Sequence, residues 1–102
     1  MTTDDFKATK IALFKGKKIR KILHNDEWWF SVVDVVEALT GSSIPRRYWS
    51  DLKIKVKQEG FGEVYEKIVQ LKLEAPDGKK RKTDCANTEI FHQLSSDQSN
   101  FL

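Results

Sequence analysis

The sequence predicts a small α+β domain: a small antiparallel sheet and hairpin wing with a helix-turn-helix-like helical pair. Three observations carry that expectation. Short apolar runs with two-residue alternation stand beside turn signals, early in the chain and again around residues 68–83. The middle stretch, Trp28 to Lys57, changes to helical spacing on both sides of a Gly-Ser turn. The order of strands, two helices, a hairpin and a helical fragment belongs to an α+β domain rather than an alternating βαβ one.

Residues 1–10 are polar and without period, and are expected to be a flexible N-terminus. The folded domain is expected over residues 11–94. Ile11 to Phe14 suits a strand, and Gly16 punctuates it. Lys17 to His24 alternates imperfectly, with Ile19, Ile22 and Leu23 set between basic residues. Asn25-Asp26 is a turn signal. Trp28-Trp29-Phe30 is aromatic and β-prone. Adjacent Trp28 and Trp29 point to opposite faces of a strand, so at least one of them packs in the core. Two or three antiparallel strands thus lead into the helices.

Ser31 can cap the first helix, with Asp34 three residues on, close to a capping box. Val32, Val35, Val36 and Leu39 then fall on one helical face. Gly41 tolerates the left-handed conformation that ends many helices. Pro45 suits the first turn of the next helix, where its missing N–H costs nothing. From there Tyr48, Trp49, Leu52 and Val56 share a face, and Arg46, Arg47, Lys53 and Lys57 lie largely off it. Lys53 to Lys57 also alternates like a strand, but nothing breaks the helical pattern before Gly60.

Glu63 to Tyr65 is too short to assign. Ile68 to Leu73 alternates as a half-buried strand, with Val69, Leu71 and Leu73 on one side. Pro76-Asp77-Gly78 is a strong hairpin turn. Lys79 to Thr83 returns as a very basic strand, which suits an exposed edge. A last helix is expected from Asn87 or Thr88, with Ile90, Phe91 and Leu94 apolar. Residues 95–102 are polar apart from their last two and are expected to be disordered.

A chain of 102 residues is one domain by length. Its 18 basic and 15 acidic residues give a net charge of +3, which allows an anionic partner without requiring one. The distribution says more. Cations bunch at Lys15–Lys21, Arg46–Arg47, Lys53–Lys57 and Lys79–Lys82, away from the acids at 4–5, 26–27 and 59–66. A single cysteine, Cys85, cannot form an intramolecular disulfide, and a reducing cytoplasm is its natural compartment. No apolar run approaches the ~20 residues of a membrane-spanning helix.

The chemistry-bearing candidates are basic. Arg46 and Arg47 at a helix start could reach phosphates or guanine edges, or could simply be solvated, with Arg47 paired to Asp51 one turn on. Lys53 and Lys57 could follow a phosphate backbone. Lys79, Lys80, Arg81 and Lys82 form a hairpin wing that could clamp it, or else protect an edge from aggregation. The aromatic residues suit the core better than a base-stacking platform. Catalysis finds little support: His24 and His92 lie in no metal-ligand spacing, Cys85 has no nucleophile motif, and no Gly-rich phosphate loop is present. The residues therefore predict a non-enzymatic domain with no metal and no cofactor.

Several blocks occur in order: Lys18-Ile19-Arg20, Asp26 to Val36, Tyr48 to Lys53, Gln70 to Leu73, Asp77-Gly78-Lys79, Thr83-Asp84 and Ala86 to Glu89. Together, over about residues 11–89, they resemble the Bro-N domain, the N-terminal domain of phage and prophage antirepressors and of baculovirus BRO proteins. The resemblance implies binding to DNA, taken as double-stranded, and in phage a role in relieving repression. It does not assign the contact residues. The pattern departs at its end, where Ile90 follows Glu89 without the family's usual glycine and longer helix; a truncation or a frameshift product, either one without the C-terminal effector domain, is the expectation there. The rival reading is a protein-interaction module that binds a repressor, since Trp, Tyr and Arg also suit protein interfaces. A remnant that folds without function is the third.

Overall fold

The computed structural model describes residues 8–60 and 62–94. Among them, five strands form one antiparallel sheet, and four helices pack with it, so the fold is α+β as the sequence predicts. The elements are β1 (Lys10–Phe14), β2 (Lys17–His24), β3 (Glu27–Ser31), α1 (Val32–Thr40), α2 (Pro45–Gln58), α3 (Gly62–Glu66), β4 (Val69–Glu74), β5 (Lys80–Ala86) and α4 (Thr88–Leu94). The sheet order is β1-β2-β3-β5-β4.

Tight turns set the registers. Asn25 and Asp26 both take positive φ, 52° and 62°, the backbone of a two-residue hairpin whose twist matches that of its strands. That turn pairs Ile22 with Trp29 across β2 and β3, and both side chains enter the core. In the second hairpin the Gly78 N–H donates to the Ala75 carbonyl at 2.8 Å, with Pro76 in the first central position and Gly78 at φ 86°. Leu71 and Leu73 of β4 are buried, as the alternation from Ile68 predicts.

The helical pair forms where the caps predict it. Ser31 Oγ accepts the Asp34 N–H at 3.3 Å, and Gly41 ends α1 at φ 71° with its N–H donating to the Glu37 carbonyl. Pro45 opens α2, which continues to Gln58 despite the strand-like alternation near its end. Trp49, Leu52 and Val56 bury one face of α2 against a core that also holds Ile22, Trp29, Val32, Val36, Leu71, Leu73, Ile90 and Leu94. Residues 63–65, unassigned from sequence, belong to the short helix α3.

Three expectations need correction. The basic strand is not the sheet edge: β5 runs on through Asp84-Cys85-Ala86, and its last two residues pair with β3, which leaves β4 outermost. Its basic half nevertheless pairs with β4 alone, so one side of it is open to other elements. Tyr48 does not share the buried face of α2; one residue's rotation from Trp49 carries it to the rim, 39% exposed. The Asp34 carboxylate does not turn back on the Ser31 N–H to complete a capping box. It accepts from Arg20 instead, as described below. The expected disordered tail at 95–102 and the expected flexible start as far as residue 7 lie outside the described residues; of residues 8–10, Lys10 already belongs to β1 and Thr9 Oγ1 accepts the Glu74 N–H at 2.9 Å, so the ordered domain begins earlier than residue 11.

Candidate nucleic-acid interface

The start of α2 and the β4–β5 hairpin meet around a recess of about 270 Å³. Four cations and one carboxylate stand on it: Arg20, Arg46, Arg81, Lys82 and Asp84. Segments far apart in sequence thus bring positive side chains to one place. Trp49 anchors α2 there; its indole Nε1 donates to Asp84 Oδ2 at 2.8 Å. Lys53 Nζ reaches the same oxygen at 3.1 Å, and Gln70 Nε2 donates to the other at 3.1 Å. Burial alone would raise the Asp84 pKa, but the bonds from Trp49, Gln70 and Lys53 together hold it below its ordinary value.

A second cluster brings Arg20 to the recess. The Arg20 guanidinium donates to Asp34 through Nε at 2.8 Å and through its terminal nitrogen at 3.0 Å, and the Arg20 backbone N–H adds a third bond at 2.9 Å. The same side chain reaches Ser31 Oγ at 3.3 Å and the Glu74 carbonyl at 3.2 Å. The Asp34 hydrogen bond raises the Arg20 pKa against the opposing effect of burial. Arg20 therefore ties β2 to α1 and to the end of β4.

Three of the five charged groups on the recess are already matched: Arg20 by Asp34, Asp84 by Lys53 and Arg81 by Asp77. Arg46 and Lys82 have no ion-pair partner among the described residues, and both are exposed. Asp77 is held below the usual carboxylate range by the Arg81 hydrogen bond, and then by the Lys79 N–H, which donates to it at 3.0 Å.

The remaining sequence candidates are distributed around this centre. Lys53 stands beside the recess as the partner of Asp84, half-buried, with its ammonium 5.8 Å from the Trp49 ring centroid. Spacing of four, seven and eleven residues puts Ser50, Lys53 and Lys57 on the same side of α2 as Arg46. Lys57 lies near the far end of the helix, its ammonium 4.4 Å from the Tyr65 ring centroid. Arg47 is exposed and rotated away from that row; no ion pair joins it to Asp51. Lys79 and Lys80 are exposed near the hairpin turn and do not line the recess.

Sequence reading missed Arg20, Asp34 and Asp84 as parts of this site. No local signal marks them: the acceptor of the Trp49 indole N–H comes from 35 residues away, and the partner of Arg20 from 14. Cys85 is fully buried, and burial pushes its thiol pKa up to about 12, so it stays protonated and unreactive at neutral pH. Among the described residues no group of three or more His, Cys, Asp or Glu side chains is placed to hold a metal ion. No described helix is long and apolar enough to cross a membrane.

Searches against family models, curated proteins and solved structures returned no match for this chain.

Proposed function

We propose that this domain binds double-stranded DNA without catalysis, as a Bro-N-like module of a phage or prophage antirepressor-type regulator. One observation carries the reading: cations from α2 and from the hairpin converge on a common recess, with Arg46 and Lys82 uncompensated among the described residues. Arg46 and Lys82 contact phosphate directly. Arg47 reaches the groove or the flanking strand, and Lys79, Lys80 and Arg81 extend the contact along the hairpin. Lys53 and Lys57 continue it down α2. Such contacts release counterions, so affinity falls steeply as salt rises. The unpaired thiol of Cys85 fits a reducing cytoplasm. Replacing both Arg46 and Arg47 with alanine weakens duplex binding at low salt and leaves the fold intact. Unchanged affinity in a fluorescence anisotropy titration removes them from the interface.

A separate observation favours the second reading, a module that grips a repressor protein. β1 is an edge strand, and Ile11, Leu13 and Phe14 on it are 51%, 73% and 42% exposed. Beside it lies an apolar hollow of about 410 Å³, with Ile19, Phe30, Val35, Leu39 and Phe91 on its walls. Exposed apolar edges are uncommon on monomers unless a partner uses them. The readings separate by ionic strength: a contact on this apolar surface survives salt that abolishes DNA binding.

A further inference from the structure

We propose that the recess between the start of α2 and the β4–β5 hairpin is a binding pocket for a phosphate monoester, with Arg46 and Lys82 as its charge-bearing residues. The inference goes beyond duplex binding, because it concerns a small or strand-terminal phosphate rather than an internal backbone phosphate.

Charge is the first argument. The three pairs already described cancel within the protein, which among the described residues leaves two positive charges on the recess. A phosphate monoester carries a charge near −2 at neutral pH because its second pKa is about 6, whereas an internal phosphodiester carries one negative charge. Two uncompensated cations match the dianion.

Donor chemistry is the second. Ser50 lies one turn after Arg46 on the same side of α2, and its hydroxyl makes no hydrogen bond within the described residues. The Gln70 amide spends one hydrogen on Asp84 and keeps the other. The Thr83 hydroxyl donates to the Arg81 carbonyl at 3.0 Å, so it is a wall and not a donor. Arg46, Lys82, Ser50 and Gln70 thus offer donors from three elements.

Size and surroundings are the third. A recess of about 270 Å³ lies just under the ~300–1,000 Å³ typical of organic-ligand sites. It has room for a phosphate and part of the sugar that carries it. Trp49, Val33 and Ala75 supply apolar wall beside the donors.

The test is a titration of the isotope-labelled full chain at pH 7.5 and constant ionic strength, read by backbone amide shifts. The probes are inorganic phosphate, adenosine 5′-monophosphate, adenosine, and adenosine 3′,5′-cyclic monophosphate as the diester. Phosphate and the 5′-monophosphate shift the amides of Ser50, Gln70 and Thr83 saturably, adenosine does not, and the diester binds at least about tenfold more weakly. R46Q and K82Q each lower the affinity about tenfold, the loss of one charge-assisted hydrogen bond. K55A, on the Tyr48–Asp51 side of α2, leaves it unchanged. Because Arg46 and Lys82 are exposed, both variants keep the parent melting temperature. Absent shifts with both phosphates, equal affinity for the diester, or indifference to R46Q and K82Q overturns the pocket. Duplex titration of the same samples keeps the two ideas apart. Duplex binding without monoester shifts removes the pocket alone, and monoester shifts without duplex binding remove the DNA reading alone.

Discussion

Asp84 accepts side-chain hydrogen bonds from Trp49, Lys53 and Gln70, and so joins α2 to both strands of the second hairpin. Replacing it with alanine strands a buried indole N–H and leaves Lys53 unpaired. The expected cost is about 2–3 kcal/mol at pH 7, measured by urea denaturation. Because its folded pKa lies below the unfolded value, its contribution is present above about pH 3.9 and is lost as pH falls through the folded pKa. The alanine variant should therefore lose less stability than the parent between pH 5 and pH 2. Trp29 makes the opposite case. Its buried Nε1 has no hydrogen-bond partner among the described residues. Trp29→Phe removes that unpaired donor, and its stability stays within about 1 kcal/mol of the parent in the same assay. Neither role was legible in the sequence. Asp84 follows four cations and reads as an ordinary surface carboxylate, and the acceptor of an indole N–H fixed 35 residues away has no local signature.

At the scale of elements, local rules worked where the determinant is local. The Ser31 cap, the Gly41 stop, the Pro45 start and the Pro76-Asp77-Gly78 turn each act within a few residues, and each stands where the sequence predicts. Gly41→Ala forces an L-residue to φ 71° and costs about 1 kcal/mol, read as a lower melting temperature. What failed was the fate of side chains whose partners come from another element. Asp34 fits a capping box by spacing, but Arg20 of β2 offers a bidentate, charged partner that outcompetes one neutral backbone N–H. β5 was read as a basic edge because its pairing with β3 involves only Cys85 and Ala86, beyond the cationic run. The Arg20–Asp34 pair is half-buried, so Asp34→Ala, which leaves the guanidinium unpaired, costs about 2–3 kcal/mol, more than Gly41→Ala.

For the whole molecule, the class of fold follows from pattern because periodicity and turn chemistry are averaged over many residues. The surface follows from it less directly. Eight basic residues were candidates; Arg46, Arg81 and Lys82 meet at the recess, Lys53 stands beside it, and Arg47, Lys57, Lys79 and Lys80 lie farther round the surface. Which cations remain uncompensated depended on carboxylates that only the folded chain brings near. The central claim is that the convergent cations, with Arg46 and Lys82 at their centre, hold a nucleic-acid phosphate. Its most direct measurement is duplex DNA affinity across a salt series for the parent chain and for the R46A/K82A double variant. The account predicts a linear fall of log affinity with log salt, and a slope about two units shallower in the variant, one for each lost phosphate contact. Equal slopes and equal affinities in the two proteins contradict it.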